Sequence, residues 1–558
     1  MPHIFSRILQ RSTAVSSEPP AGVAFDIMIE SLDSSLPDGQ DHAVTKLLRE
    51  PAMLRHWEEI KPIVSQVKQY HDAGQSFRIY HGSTNSTRPA SSKSKNIVDT
   101  SGLNKVLSID NMKAIVQVNV PMDILLEETL KRNLVPLVVT EFPGITVGGA
   151  FSGTAGESSS FKHGFFDQSV SAAEVIQADG KYVFCSKSLR PDLFQSIAGS
   201  LGTVAVVTLL HIRLQQAYKF VEVTYYPVSD AKEAVTKLQE QSIVTSDTGI
   251  DFLDGIMFSA TKGVVITGRM VDVNPHLLPV QRFIRPRDPW FFEHAQSCIA
   301  VRSFSRVREI VPLPDYIFRY NRGIFWLGKQ TLDTFGIKNT ANVRRLTHHA
   351  FTARMGYARL HQQPVNTTLI QDLAIPLSAA DDFLQWVDQK FGIYPLWLCP
   401  LRVSEGQTLH PHHWKEGTQD AKTPNLMLNV GVYDVSARTY DEWINHNREF
   451  EDKIHALGGM KWSYAAQMYD EDRFWEQHDR EWYDAARHEF GASSMPDIYD
   501  KTRVDIEAGR EIFGEIDKKQ FSSLLGVARY AGGMAKSIVG GAWRKERSKV
   551  WYDWPDPD

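Results

Sequence analysis

The sequence predicts an α+β protein built from more than one domain. Strands and helices are interleaved along most of its length, which sets aside all-α and all-β architectures. Several strand pairs are joined by tight turns, and such hairpins are antiparallel, which sets aside a doubly wound parallel sheet. At 558 residues the protein exceeds what one ordinary core organises, so two or three domains are expected.

Residues 1–50 mix Pro, Ser, Asp and Gly around one short apolar patch and read as a loosely structured lead-in. Its basic, acid-free start, "MPHIFSRILQRS", fits either a weak transit-like segment or a frayed terminus. "NIVD" (96–99) and "AIVQVNV" (114–120) are strands, the second by strict alternation. "PMDILLEETLKRN" is a short helix with Pro121 near its start and Leu125, Leu126 and Leu130 on one side. "LVPLVV" (134–139) is a strand interrupted by Pro136, which places it at an edge. "AAEVIQADGKYVFCS" is a hairpin turned at Asp179-Gly180, "DLFQSIAGSLG" a helix ending in glycine, and "TVAVVTLLHIRL" a long strand. A second mixed region opens with the strand "FVEVTYYPV", the helix "DAKEAVTKLQEQ" and the hairpin "GIMFSATKGVVITGRM", turned at Lys262-Gly263. From Asp470 the sequence is rich in Trp, Asp, Glu and Arg. Its stretch "FSSLLGVARYAGGMAKSIVGGAWRKERSK" is weakly amphipathic with a basic end, suited either to a membrane surface or to packing on its own domain.

The composition, 42% hydrophobic and 23% charged, is that of a folded globular protein, and a net charge of −5 gives no electrostatic case for binding nucleic acid. Three dispersed cysteines, Cys185, Cys298 and Cys399, make neither a disulfide scaffold nor a zinc pattern and fit a reducing compartment. His410, His412 and His413 in "HPHHW" lack nearby cysteines or a helical His-Glu motif, so no metal is expected and a loop of satisfied imidazoles is the reading.

"GITVGGAFSGTAGESSSFKHGFF" (144–166) is dense in Gly and Ser yet has strand-forming Ile145 and Val147 before the Gly148-Gly149 pair, and then Glu157, Lys162 and three phenylalanines. A flexible linker needs no such order. Glycines here permit close approach of backbone to a ligand, and successive N–H groups in such turns make an anion-binding concavity. Neither a Walker A loop nor a Gly-x-Gly-x-x-Gly fingerprint is present. Two more donor-rich loops, "FRIYHGSTNSTR" (77–88) and "GSLGT" (199–203), also stand before strands. The three either hold one long, doubly charged ligand such as a dinucleotide, or are three ordinary turns.

The order of "FRIYHGSTNS", "FPGITVGGAFSGTAGESSSFKHGFF", "AAEVIQADGKYVFCS" and "DLFQSIAGSLGTVAVVTLLHIRL" resembles the FAD-binding PCMH-type domain of the vanillyl-alcohol-oxidase superfamily. Within it the sequence is similar to the delta-24-sterol reductase (dehydrocholesterol reductase and Diminuto) family. That likeness continues through "PWFFEHA", "FRYNRGIFWLG", "YPLWLCP" and "MYDEDRFW".

The resemblance implies a domain order: lead-in 1–50, PCMH-type FAD-binding domain 51–226, α+β substrate or cap region 227–500 and helical tail 501–558. It implies cofactor contacts from His81, Gly82, Ser83, Thr84, Asn85 and Ser86 in the first loop. From the second segment it implies Gly144, Thr146, Val147, Gly148, Gly149, Gly153, Thr154, Glu157 and Ser158, and beyond it Gly202, Thr203 and Val206. Relatives that attach flavin covalently do so through a histidine just before the loop serine. Gly82 holds that position here and His81 lies one residue earlier, so noncovalent FAD is expected.

Glu141 matches the place of the acid/base carboxylate of cytokinin dehydrogenases, although its type alone fits an exposed turn equally. Tyr320 and Arg322 are further candidates for orienting substrate or donating a proton, against bland readings of core packing and surface charge. Arg282, Arg285 and Arg287 form either a nicotinamide-phosphate site or a solvated basic turn. The segment departs from the reductase pattern around Phe161 and His163, which leaves substrate fit open.

The implied activity is FAD-dependent reduction of a C=C bond in the side chain of a sterol-like substrate, with NADPH as donor. The alternative is an oxidase or dehydrogenase of a terpenoid or similar metabolite using oxygen. Animal and plant members begin with a membrane-anchoring apolar segment, whereas no run here approaches the roughly 20 apolar residues needed to span a bilayer. A cytoplasmic enzyme, or one peripheral to the endoplasmic reticulum membrane, is therefore expected, with a hydrophobic small molecule as its partner.

Overall fold

The computed structural model describes residues 51–82, 86–87, 96–243, 249–274, 277–301, 306–361, 367–404, 409–410, 426–435 and 439–517. The lead-in 1–50, the loop residues Ser83, Thr84 and Asn85, His412, His413 and the amphipathic stretch beyond residue 517 lie outside them. The protein divides into Met1–Glu58, described only as the opening of helix α1 (Pro51–Asp72), and Glu59–Asp558. Among the described residues no helix is long and apolar enough to cross a membrane.

The larger unit is α+β, as expected. Strands β1 (Arg78–Tyr80) and β2 (Ile97–Asp99) pair in parallel. A six-stranded sheet follows from β3 (Val106–Asp110), β4 (Lys113–Gln117), β5 (Leu134–Pro136), β6 (Val170–Gln177), β7 (Tyr182–Ser186) and β8 (Ala205–Gln216). Its order is β3-β4-β8-β6-β7, with β5 pairing only with β8, so the proline-bearing strand sits at the margin where a missing N–H costs nothing. Helix α2 (Met122–Leu130) buries Leu125 and Leu126. The expected strand 114–120 ends at Gln117, and the next three residues turn their backbone to other partners: the Val118 and Val120 carbonyls accept from the amides of Gly148 and Val147.

Strand β9 (Phe220–Val228) starts an eight-stranded antiparallel sheet with β10 (Phe252–Ser259), β11 (Lys262–Val271), β12 (Val307–Pro312), β13 (Leu369–Pro376), β14 (Leu396–Arg402), β15 (Leu426–Asp434) and β16 (Met460–Lys461), in the order β12-β9-β11-β10-β14-β15-β13-β16. The β10–β11 hairpin turns at Ala260-Thr261 rather than at the expected Lys262-Gly263. Ser259 pairs with Lys262, and Gly263 is a strand residue facing Val228.

Period-two alternation sorts this sheet's faces. Leu369, Leu373 and Ile375 of β13, Leu396 and Leu398 of β14, and Leu428, Val430 and Val432 of β15 point to one side. There they form the core with helices α3 (Ala231–Ser242), α4 (Ala380–Lys390) and α5 (Tyr440–Ala456) through Leu238, Phe383 and Phe450. The alternate residues Ile370, Asp372, Trp397, Asn429 and Tyr433 face the other way, into a cavity. Between β12 and β13 the backbone makes short helices that include α6 (Leu327–Thr334) and α7 (Ala353–Leu360). After β16 it returns to the loops of the first sheet: the Trp462 indole donates to the Thr154 carbonyl at 2.9 Å, and Thr203 bonds Tyr483 at 2.7 Å.

Candidate active site

A cavity of about 440 Å³ runs between the six-stranded sheet's loops and the open face of the eight-stranded sheet. At one end it is bounded by His81 and Ser86, along its floor by residues 140–156, and at the far side by Phe325, Asp372, Trp397 and Tyr433.

Local bonding explains the floor. Thr146 caps the short helix Val147–Ser152 by accepting the Gly149 amide at 3.1 Å. The amides of Val147 and Gly148 donate to the Val120 and Val118 carbonyls at 2.9 and 2.8 Å, pinning the segment to the end of β4. At Gly148 only glycine fits, since a Cβ would lie 2.1 Å from Val118 Cγ2 and 2.8 Å from its carbonyl oxygen. The amides of residues 147–149 are therefore already bonded within the protein. What this segment gives a ligand is a surface without side chains rather than a row of N–H groups.

Of the residues expected to touch a cofactor, His81, Ser86, Gly144, Thr146, Gly148, Gly149, Gly153 and Gly202 line the cavity. Gly82, Val147, Thr154, Glu157, Ser158, Thr203 and Val206 stand behind that wall, although Val206 lies between two lining residues, Ala205 and Val207. Six glycines on one continuous surface, counting Gly156, leave room for a long flat ligand lying against backbone, and a flavin dinucleotide fits that description.

Glu141 lines the same cavity and is 8% exposed, and its Oε1 meets no hydrogen-bond partner among the described residues. Burial pushes its carboxyl well above the ordinary carboxylate value, and the nearby Glu157 carboxyl pushes in the same direction, against the influence of Arg319. Burial also raises Glu157, but the hydroxyls of Ser159 and Ser158 donate to it, the latter at 2.8 Å, and favour its charged form. The nearby guanidinium of Arg319 is bonded to Asp254 at 2.8 Å, with both groups buried. Of the two carboxyls Glu157 is the one supplied with hydroxyl donors, and Glu141 is the one whose protonated form its surroundings favour more strongly.

Tyr320 and Arg322 are not part of the wall. The Tyr320 hydroxyl donates to Asp254 at 2.8 Å, beside Arg319 and the Trp397 indole. The Arg322 guanidinium donates to the carbonyls of Phe283, Pro286 and Asp288 at 2.9–3.1 Å. Both side chains are bonded to framework groups, which fits the readings of core packing and scaffold charge set beside the catalytic one. Their neighbours Ile324 and Phe325 face the cavity instead, turned there by left-handed backbone at φ 51° and 56°. Arg282 is likewise committed, to buried Asp315 at 3.0 Å. Lys162 pairs with Asp251 at 3.0 Å. His410 Nε2 lies 2.9 Å from Asp167, and its ring stacks on Phe165.

Sequence reasoning passed over Asp372. Its Oδ1 accepts from the Tyr433 hydroxyl at 2.8 Å and from Asn429 Nδ2 at 2.9 Å, and its Oδ2 accepts from the Tyr464 hydroxyl. The local signal is an acidic residue inside a mostly apolar strand, "LIQDLAIP".

Comparison with known proteins agrees with this geometry. The family model "FAD binding domain" matches residues 51–186. The Delta(24)-sterol reductase of Mus musculus is 28% identical over 477 residues, covering 82% of this protein and 88% of that one. The Delta(24)-sterol reductase of Pisum sativum is 26% identical over 458 residues, covering 74% and 77%. Cytokinin dehydrogenase 4 of Oryza sativa subsp. japonica is 31% identical over 140 residues, covering 25% and 26%.

Proposed function

We propose a function from one premise: the chain belongs to the Delta(24)-sterol reductase family, within the FAD-binding PCMH-type superfamily. It is an FAD-dependent oxidoreductase that reduces a C=C bond in the side chain of a sterol-like substrate, with NADPH as the electron donor. The observation that carries the reading is the single cavity that joins a glycine floor to an aromatic, largely apolar far wall, with a proton-bearing carboxyl on it.

His81, Ser86, Thr146 and the floor glycines would hold FAD without a covalent bond. Bound there, FAD supplies the electron pair for the reduction. The protein's own residues supply the rest. Glu141 holds a proton and delivers it to the alkene carbon that does not receive the electron pair. Glu157, with its serine hydroxyl donors, pushes the Glu141 carboxyl toward its protonated form. Phe325, Trp397 and Tyr433 exclude water from the reacting bond, and the apolar side chains of residues 324–360 accept the body of a sterol-like molecule. A reductase needs an external electron donor, and NADPH is the donor we propose.

The test is a spectrum of the purified protein followed by anaerobic mixing with NADPH and then a delta-24 sterol. Flavin absorbance that bleaches with NADPH and returns with the sterol is the expected result. Bleaching only by an organic substrate, with oxygen restoring the colour, overturns the direction. Protein that is colourless and takes up no added FAD overturns the whole reading. The acid-precipitated pellet should be colourless and the flavin should remain in the supernatant.

A further inference from the structure

Beside Glu141 the cavity has a second carboxyl, Asp372, whose surroundings differ in kind. It lies on the open face of the eight-stranded sheet and takes three hydrogen bonds, all from neutral donors: Asn429, Tyr433 and Tyr464. Among the described residues no cation is bonded to it.

Each donor is fixed from elsewhere. Asn429 Oδ1 accepts the Leu373 amide at 3.1 Å, so its Nδ2 end is the one that meets Asp372. Gly431, opposite Asp372 in the β13–β15 register, leaves the space through which the Tyr433 hydroxyl folds back. A Cβ at position 431 would lie 2.6 Å from that oxygen. The Tyr464 carbonyl accepts from Thr87 N and from Ser86 Oγ, both at 3.1 Å, which ties the third donor to the first loop. Three donors aimed at one carboxyl from one strand and a loop stabilise its charged form. An amide NH₂ cannot turn round to accept a proton from it.

The titratable groups that face Asp372 are Tyr433 from β15, Tyr464 from the loop after β16 and Tyr357 from α7. Burial raises all three phenols above their ordinary value, and the Asp372 charge adds to it, so they stay neutral and donating. Burial leaves Asp372 above its ordinary carboxylate value on balance, and the Tyr464, Asn429 and Tyr433 bonds limit that rise by favouring the charged form.

Resting on the functional reading above, we propose that Asp372 is a fixed anion of the reaction chamber whose charge sets the electron affinity of the bound flavin. Reduction of a flavin by two electrons and one proton adds negative charge to the ring system. A buried carboxylate sharing its cavity opposes that gain and lowers the reduction potential, because the interior screens it poorly. The effect favours the reductive direction, since a flavin that gives up its electrons more readily passes the pair more easily to a C=C bond that carries no activating group. The balance is simple. The electron pair and its hydrogen go to one carbon, the Glu141 proton goes to the other, NADPH restores the flavin, solvent restores Glu141, and Asp372 stays charged throughout.

The experiment needs no substrate. The potential of bound FAD is measured anaerobically against a reference dye in the purified holoprotein, in wild type and in Asp372→Asn. The variant's potential should rise by about 30 mV, a tenfold shift of the two-electron equilibrium toward the reduced form. An unchanged or lower potential in a variant that retains FAD overturns the proposal. Tyr433→Phe covers the case in which Asp372→Asn loses the cofactor. With one donor removed, Asp372 takes up a proton more easily, so this variant should match wild type at alkaline pH and rise above it as pH falls. Parallel curves for Tyr433→Phe and wild type overturn the proposal too. Failure of the functional reading looks different, because wild type itself would then hold no FAD to measure.

Discussion

The Trp462 indole donates to the backbone carbonyl of Thr154 at 2.9 Å, although 308 residues separate the two. Thr154 sits in left-handed backbone at φ 51°, directly after Gly153 of the cavity floor. Trp462→Phe keeps an aromatic ring but leaves a buried carbonyl unpaired, at a cost of about 1–3 kcal/mol. The melting temperature of the variant should fall accordingly, and FAD should dissociate faster, because the carbonyl that loses its tether belongs to the floor. A variant with unchanged melting and unchanged flavin release would show the tether to be idle.

Glu141→Gln should retain FAD and its reduction by NADPH while slowing transfer to the C=C bond by roughly 10²–10⁴-fold. The pH dependence has a definite sign. Burial and Glu157 raise the Glu141 carboxyl, so the proton is held below the raised value and lost as pH rises through it. Single-turnover oxidation of the reduced enzyme by sterol should therefore be flat below that value and decline above it. In Glu141→Gln that decline should vanish.

Gly148→Ala should empty the site. The added Cβ meets Val118 at 2.1 Å from Cγ2 and 2.8 Å from the carbonyl, and overpacking of this kind costs about 1–3 kcal/mol. At the neighbouring Gly149 an added Cβ meets only Thr146 Oγ1, at 3.2 Å, so the same change there should be tolerated better. Val118→Ala added to Gly148→Ala removes the nearer clash but not the carbonyl, so flavin content should recover only in part.

His294 bonds both oxygens of Glu309 at 2.9 and 3.1 Å, and Cys298 lies 3.4 Å away. Burial alone would lower the imidazole, but the Cys298 and Glu309 hydrogen bonds and the Glu309 charge outweigh it and raise His294 from 6.5 to about 10. A group raised on folding stabilises the protein fully below its unfolded value and ceases to do so as pH climbs through its folded value. The melting temperature of wild type should thus exceed that of His294→Gln at pH 6, and the gap should close between pH 6.5 and pH 10. A gap independent of pH would mean that the ring serves by packing alone.

The regular elements were legible because their signals are local. The strands β8 and β9 were read where they stand, Pro136 marked an edge, and Asp179-Gly180 marked a hairpin. Glu141 was singled out through the resemblance, at the place of the cytokinin dehydrogenase carboxylate, and it lines the cavity. The Asp372 cluster was not, since its donors come 57, 61 and 92 residues later and no local pattern joins them. In "FRYNRGIFW" the chemistry-bearing residue types are Tyr320 and Arg322. Two successive left-handed residues instead present Ile324 and Phe325 to the cavity, and periodicity cannot foretell that reversal.

The helices and turns between β12 and β13 contribute Ile324, Leu327, Thr331, Phe351, Tyr357 and Leu360 to the cavity, while Glu141, Gly148 and Asp372 come from other stretches of sequence. On the proposed function, selectivity and reactivity are then written on separate segments. A lineage, or a directed library, can trade one hydrocarbon skeleton for another by drift in that connection while the apparatus that moves electrons and protons is inherited intact.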